Sequence, residues 1–150
     1  DLGESVKIGY YHQSGIQFDP EQTVMDTVPS THLLERFLFP HDMWNNKVGR
    51  LSGGEKRRLY LLTILLQQPN FLILDEPTRG IDVGTKSEIQ KLIVKLAGEG
   101  KSVIFISSEI EEMLRTCNRM VIMRDGQKVG ELDHELSQES VMKAIAGGES

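Results

Sequence analysis

The chain has 150 residues, of which 39% are hydrophobic and 26% charged, a composition typical of a globular domain with its own core. Its net charge of −5 gives no sign of a general nucleic-acid binder, and we interpret the one dense basic run, residues 56–58, as a solvated helix face. The single cysteine, Cys117, excludes an intramolecular disulfide and fits a reducing, cytoplasmic compartment, where we expect it to be a small core residue. No apolar run approaches the ~18 residues that span a membrane. We therefore expect neither membrane insertion nor a DNA partner.

In chain order, the hydrophobic pattern alternates between strands and helices. A strand is predicted over 5–13, and Asp19, Pro20 and Gln22 then predict the start of a helix over 19–28. The later predicted elements are small helical pieces over 29–50, a helix over 52–68, a central buried parallel strand over 70–77, a helix over 84–100 that ends at Gly98 or Gly100, a buried strand over 101–108, a helix over 108–117, a β-hairpin over 119–132 around Asp125-Gly126, and a helix over 137–148. This order predicts an α/β fold with a parallel sheet and helices on both faces.

Two adjacent carboxylates follow the most apolar of these strands, in the stretch "FLILDEP". Asp75 is suited to hold Mg²⁺, and Glu76 to orient or deprotonate an attacking water, a combination that serves phosphoryl chemistry. A strand that simply ends in two solvated acids explains these two residues equally well.

The stretch "LSGGE", residues 51–55, opens the long helix. Ser52 and Glu55 have the spacing of a capping box, which needs no ligand. That motif does not explain Gly53 and Gly54, because glycine in a helix costs stability. Open N–H groups at the positive end of a helix favour an anion there.

Together, "LSGGE" followed by an apolar strand with "DEP" resembles the ATP-binding cassette (ABC) ATPases, over essentially the whole chain. The resemblance implies a partial P-loop NTPase-like domain, with a helical signature subdomain over 14–68 and a Walker B, D-loop and C-terminal core over 69–150. It also implies ATP and Mg²⁺ as cofactors. The implied roles are the Q-loop glutamine for Gln13, the signature motif for Ser52, Gly53, Gly54 and Glu55, the Walker B magnesium ligand for Asp75, the catalytic base for Glu76 and the D-loop aspartate for Asp82.

Such a cassette needs a P-loop, G-x-x-x-x-G-K-[ST], and the sequence contains none. The near match "GEGKS" over 98–102 has Lys95 where the first glycine belongs, and we interpret it as a helix end and strand entry. A second near match over 49–56 has Glu55 inserted before Lys56. In the family the P-loop lies upstream of the Q-loop, so we expect the chain to begin inside a larger protein. ATP binding by this chain alone should be weak, and hydrolysis negligible.

A second departure from the family follows the 101–107 strand, where cassettes usually carry a switch histidine and this sequence has Ser108. With Glu111, Ser108 has capping-box spacing. The histidines show no metal-ligand spacing, and we expect all four at the surface. They are His12, His32, His41 and His134.

Within the family, two parts of the chain resemble different groups of proteins. Residues 6–78 resemble the second cassette of ABC-F proteins, which act around ribosomes, whereas 76–132 resemble the second cassette of sugar-import ATPases. The change near Pro77-Thr78 makes a chimera, natural or engineered, a hypothesis.

Three interpretations stay open. The first is the C-terminal part of an ABC cassette, whose partners would be the missing P-loop part or a second cassette, and a transporter membrane subunit. The second is a non-enzymatic chimeric or designed α/β domain that retains the motifs. The third is a ribosome-binding fragment, which the acidic net charge disfavours.

Overall fold

The computed structural model describes residues 3–133 and 136–147. The chain divides into two compact units, Asp1–Ile106 and Ser107–Ser150.

The first unit is built on a parallel sheet of three strands in the order β1-β2-β3. Their bounds are Ile8–Tyr11 for β1, Phe71–Asp75 for β2 and Ser102–Ile106 for β3. Tyr11 lies opposite Leu74, and Asp75 lies opposite Ile106. The strand that ends in Asp75 is therefore central, as predicted, and all three carboxyl ends meet at one edge of the sheet. The predicted α/β fold with a parallel sheet is confirmed.

Helices fill the two connections between these strands. Their bounds are Val24–Thr27 for α1, Thr31–Arg36 for α2, Gly53–Leu65 for α3 and Val83–Gly98 for α4, with 3₁₀ turns at His41–Met43 and Val48–Arg50. The α3 helix comes close to the sheet at Gly9, where an added Cβ would lie 2.6 Å from Ile64 Cγ2 and 3.0 Å from Leu72 Cδ2. The missing side chain at Gly9 thus permits the close approach of α3.

The two faces of this sheet differ in burial. Leu72 and Leu74 are fully buried on one face, together with Phe105. The opposite face carries apolar side chains that are about two-fifths or more exposed: Ile8 (38%), Tyr10 (39%), Ile104 (47%) and Ile106 (43%).

One expectation is corrected by this exposure. In β3 only Phe105 is buried, so it is not a buried strand. Apolar residues at alternate positions predict a strand, but they do not determine how many of its faces are covered.

The predicted helix start at Asp19 is also wrong. Asp19 instead accepts the N–H of Glu21 within a turn, 3.0 Å away. The helix begins at Val24 because Thr23 is its N-cap: Thr23 Oγ1 accepts the Asp26 N–H at 3.1 Å, and Asp26 Oδ2 accepts the Thr23 N–H at 3.3 Å. This reciprocal capping box satisfies two backbone donors, which outweighs the weaker Asp-Pro signal upstream.

The second unit consists of a hairpin and two helices. Their bounds are Ile110–Thr116 for α5, Met120–Arg124 for β4, Gln127–Leu132 for β5 and Gln138–Ile145 for α6. The hairpin is confirmed: Asp125 and Gly126 have φ of +52° and +76°, as a two-residue type I′ turn requires. Its small core is formed by Met120, Ile122 and Val141.

Cys117 is half-buried against this core, and burial raises the pKa of its thiol. It is therefore a packing residue, in line with the sequence. No helix in the described ranges has the length and hydropathy needed to cross a membrane.

Two glycines at the end of α4 provide a matched test of the backbone. An added Cβ would meet no atom within 4 Å at Gly98 or at Gly100, but Gly98 is helical and Gly100 has φ of +95°. We expect Gly98→Ala to raise the free energy of unfolding by up to about 1 kcal/mol, through helix propensity. Gly100→Ala should lower it by about 1 kcal/mol, because a side chain disfavours the left-handed conformation. Urea unfolding of both variants is the measurement, and effects of the same sign would contradict the backbone assignment.

Candidate functional site

The carboxyl edge of the sheet brings together residues that lie far apart in the sequence. Asp75 is the last residue of β2, Glu76 follows it, and Gln13 lies two residues beyond the end of β1. Asp75 and Glu76 are half-buried, whereas Gln13 is exposed. The structure thus places the predicted Walker B and Q-loop residues at the same edge, and their roles stay predictions.

Glu76 has an unusual backbone conformation. Its φ is +48°, in the left-handed region that non-glycine residues rarely occupy. Its N–H donates to the carbonyl of Ile106 at 2.9 Å, and its carbonyl accepts the Arg79 N–H at 3.2 Å. The chain therefore turns sharply as soon as β2 ends. Sequence reasoning missed this conformation because nothing in the residue type signals it, and such conformations cluster at functional sites.

The start of α3 is capped as predicted. Ser52 Oγ accepts the Glu55 N–H at 3.2 Å, and Glu55 Oε1 accepts the Ser52 N–H at 2.9 Å. The two glycines that the cap leaves unexplained have different surroundings. Gly53 is exposed, and an added Cβ there would meet nothing within 4 Å. Gly54 is buried against Thr85, and an added Cβ would collide with the Thr85 methyl group. Gly54 thus has a packing explanation, while Gly53 faces open space.

Asp82 is the N-cap of α4. Its Oδ1 accepts the Thr85 N–H at 2.9 Å, and its Oδ2 accepts the Thr85 hydroxyl at 2.7 Å. The backbone and side-chain hydrogen bonds from Thr85 lower the pKa of the exposed Asp82 carboxyl, because they stabilise its ionised form. The predicted D-loop aspartate is therefore held as an anion in a fixed orientation.

One face of α3 contacts the segments on either side of the edge residues. The hydroxyl of Tyr60 accepts the His12 N–H at 3.1 Å, just before Gln13. Arg57 Nη1 donates to the carbonyl of Pro77 at 3.4 Å, just after Glu76. The Tyr60 ring also packs on buried Tyr11, with ring centroids 4.3 Å apart. The α3 helix is thus joined directly to the segments that carry Gln13 and Glu76.

Tyr11 is a neighbour of both Tyr60 and Arg57. Burial raises the pKa of its hydroxyl, and the nearby Arg57 guanidinium opposes that rise. The basic run that was interpreted as a solvated face therefore does not behave as one.

Arg58 shows the correction most clearly, because it is only 8% exposed. Its Nη1 donates to the carbonyls of Phe37 (3.3 Å) and Leu38 (3.0 Å), and its guanidinium lies 5.1 Å from the centre of the Phe39 ring. Carbonyls at the end of α2 replace water around this charge. A run of charges in the sequence does not reveal that such acceptors will be available.

Ser108 belongs to the second unit and is exposed. The predicted capping box with Glu111 is wrong, since α5 begins after Glu109, which makes no side-chain cap hydrogen bond. The cap-like contacts are made one residue earlier: Ser107 Oγ accepts the Glu109 N–H at 3.0 Å and donates to buried Glu112 at 3.2 Å. A role for Ser108 at the switch position stays a prediction.

The near match "GEGKS" is confirmed as a helix end and strand entry. Gly98 ends α4, Gly100 takes the left-handed conformation, and Ser102 opens β3. Lys101 Nζ donates to the carbonyl of Pro69 at 2.6 Å. This lysine is thus held against the strand entry and not in a phosphate-binding loop.

Within the described residues no group of three or more His, Cys, Asp and Glu side chains could hold a metal ion. His12, His32 and His41 are exposed, as expected, and His134 lies outside the described residues. Mg²⁺ is usually bound by one or two carboxylates together with waters and phosphate oxygens. A single carboxylate at the strand end, such as that of Asp75, is compatible with this coordination.

Comparisons with known proteins agree with this architecture. A family model described as "ABC transporter" matches residues 4–79, a range that contains Gln13, the "LSGGE" stretch, Asp75 and Glu76. The chain is 52% identical over 101 residues to a ribose import ATP-binding protein of Rubrobacter xylanophilus, covering 67% of this chain and 20% of that protein. It is 48% identical over 103 residues to the xylose import ATP-binding protein of Escherichia coli, covering 68% and 20%.

A further relative matches nearly the whole chain. A ribose/galactose/methyl galactoside import ATP-binding protein of Halalkalibacterium halodurans is 36% identical over 148 residues, which is 98% of this chain and 26% of that protein. The chain thus spans about a fifth to a quarter of the length of the curated relatives it matches.

Solved structures share the fold at low sequence identity. A nucleotide-free ATP-binding cassette from an ABC transporter has a TM-score of 0.72 and 18% identity, covering 93% of this chain and 65% of that one. A dimeric ATP-binding cassette in a post-hydrolysis state with ADP and Pi has a TM-score of 0.69 and 22% identity, covering 88% and 68%.

The contact between Tyr60 and His12 can be tested by removing one hydroxyl. We expect Tyr60→Phe to lower the free energy of unfolding by about 0.5–1.5 kcal/mol, because the His12 N–H loses its acceptor. Hydrogen exchange at the His12 amide should become faster. Tyr10→Phe is the matched control, since Tyr10 is 39% exposed and such surface changes stay within about ±0.5 kcal/mol. Equal effects of the two substitutions on stability and exchange would count against this contact.

Proposed function

This chain belongs to the ABC transporter family, and from that premise we propose that it supplies one part of an ATP-hydrolysing cassette. By itself it would bind Mg-ATP weakly or not at all and hydrolyse it negligibly. The main support is the carboxyl edge of the sheet, where Asp75, Glu76 and the segment carrying Gln13 meet. The second support is the sequence, which contains no G-x-x-x-x-G-K-[ST] motif.

Each edge residue has a proposed task in the assembled site. The Asp75 carboxylate would hold Mg²⁺, which when bound neutralises phosphate charge. Glu76, turned by its left-handed backbone, would orient the attacking water and accept its proton. Gln13 would contact the metal–nucleotide group from the neighbouring strand.

The remaining motif residues act around this edge. The start of α3, with Ser52, Gly53, Gly54 and Glu55, would face a phosphate group bound by an opposite subunit. Open space above Gly53 supports that role. Asp82, held as an anion by Thr85, would complete the D-loop position. Ser108 belongs to the second unit and is proposed for the switch position on the sequence alone.

The proposed lack of activity rests on where phosphate affinity originates. In P-loop proteins the backbone cradle and its lysine hold the β- and γ-phosphates. The lysine of the near match over 98–102, Lys101, donates instead to the carbonyl of Pro69. Asp75 and Glu76 would then have no anchored phosphate to act on. The completing partner is a P-loop-bearing segment or a second cassette, together with a transporter membrane subunit.

Sugar import is the process we propose for the whole protein. The support is that relatives matching about two-thirds of the chain at roughly half identity are named as ribose and xylose import proteins. The resemblance of residues 6–78 to ABC-F proteins would then reflect a chimeric origin, with the junction near Pro77-Thr78. The lower identity of the near-full-length match, 36%, is compatible with such a junction. Separate comparison of the two halves with both protein groups tests it.

Thermal unfolding with and without Mg-ATP tests the proposed lack of binding. We expect no upward shift, because a ligand far below its dissociation constant adds almost nothing to the free energy of unfolding. The E. coli xylose import protein, assayed in parallel, should shift and so serve as the positive control.

ATP turnover is measured on the same samples, with Asp75→Ala and Glu76→Gln as matched variants. The expected result is a background rate that is unchanged by either substitution. Turnover that disappears in Asp75→Ala would show a working site in this chain and would overturn the proposal.

A further inference from the structure

We propose that Thr85 is a positioning residue that couples the first turn of α3 to the Asp82 turn, because its methyl group packs on Gly54 while its hydroxyl holds the Asp82 carboxylate. The meaning of this coupling for ATP hydrolysis rests on the proposed function. Its geometry does not, and it is testable without nucleotide.

The first contact is steric. An added Cβ at Gly54 would collide with Thr85 Cγ2 and would lie 3.2 Å from both Thr85 Cβ and Oγ1. Gly54 is buried at this point, where α3 and α4 meet. The position of Thr85 against Gly54 is therefore set by close packing, which leaves little room for movement.

The second contact is polar and uses the other branch of the same side chain. Thr85 Oγ1 donates to Asp82 Oδ2 at 2.7 Å, and the Thr85 N–H donates to Asp82 Oδ1 at 2.9 Å. Both oxygens of the Asp82 carboxylate thus accept hydrogen bonds from Thr85 at the start of α4. Without the hydroxyl, the Thr85 N–H would still donate to Oδ1, but the side-chain hydrogen bond to Oδ2 would be lost.

The two contacts are linked because Cγ2 and Oγ1 share one rotatable bond. A β-branched side chain has few χ1 positions, and a rotation that moves the methyl group away from Gly54 also removes the hydroxyl from Asp82. Displacing the start of α3 should therefore disturb the hydrogen bond between Thr85 Oγ1 and the Asp82 carboxylate, although Gly54 and Asp82 belong to different helices. A purely local packing role for Thr85 predicts no such effect.

Two substitutions at position 85 separate the branches. Thr85→Ser removes the methyl group and keeps the hydroxyl, whereas Thr85→Val keeps the branched shape and removes the hydroxyl. Gly54→Ala introduces the collision, and Gly53→Ala is its control because that position is open.

The first measurement is the urea midpoint of the full chain. Gly54→Ala should lower the midpoint well below that of Gly53→Ala. The double variant Gly54→Ala with Thr85→Ser should recover most of the loss, and the double variant with Thr85→Val should recover none. If Gly54→Ala does not fold, folding of the Thr85→Ser double variant supports the proposal, and failure of both overturns it.

The second measurement is the pKa of the Asp82 carboxyl, followed by NMR titration. Thr85→Val should raise this pKa toward its ordinary value, because the hydroxyl bond stabilises the ionised form. Thr85→Ser should keep it low. The hydrogen bonds that lower this pKa come from Thr85 and from the backbone of Asp82 and Gly84, so removal of the Thr85 hydroxyl changes one of a small set of donors.

The decisive variant is again Gly54→Ala, measured directly or as its pair with Thr85→Ser. We expect Gly54→Ala to raise the Asp82 pKa. Adding Thr85→Ser should return that pKa to the lower value of the wild-type protein. An Asp82 pKa that stays at the wild-type value in a folded Gly54→Ala protein would overturn the coupling. Neither result depends on ATP, so failure of the proposed function leaves this test intact.

Discussion

The parallel pairing of β2 with β1 and β3 is the constraint on which the first unit depends. Leu72 and Leu74 are fully buried on one face of this strand, and hydrophobic burial of this size stabilises a domain by several kcal/mol. The period of two along the strand then determines what the other positions do. Asp75 comes at the point where the pairing ends, opposite Ile106. The register that buries Leu72 and Leu74 therefore also places Asp75 at the edge of the sheet.

The α3 helix converts that edge into a connected site. Its start lies against α4 through Gly54, and its middle contacts the chain on both sides of the edge through Arg57 and Tyr60. Its other face holds the end of α2 through Arg58. A helix with this many polar attachments resists sliding, because any shift breaks several hydrogen bonds at once. The motif at its start is therefore positioned by the whole length of the helix.

The sequence predicts those features that depend on local patterns. The central strand, the long helices, the cap at Ser52 and the turn at Asp125-Gly126 all follow from periodicity and turn chemistry, and they are present. The start of α1 was missed because the Asp-Pro signal at Asp19 is weaker than the reciprocal capping box of Thr23 with Asp26, which the prediction did not consider. The same applies to α5, where Ser107 makes the contacts expected of Ser108.

Features that depend on contacts distant in the sequence could not be predicted in this way. The left-handed backbone at Glu76, the burial of Arg58 and the contact of Gly54 with Thr85 each require a partner many residues away or a turn imposed by the fold. Family resemblance identified the candidate residues, but it could not supply these partners.

The glycine pair shows how a motif combines two physical demands. Gly53 faces open space, so its lack of a side chain is not needed for packing and is compatible with access of an anion to backbone N–H groups. Gly54 is required by the approach of Thr85. Gly53 thus leaves open space at the start of α3, while Gly54 allows a second helix to approach. Because the two residues are adjacent, the anion site proposed at Gly53 would lie within one peptide unit of the contact between Gly54 and Thr85.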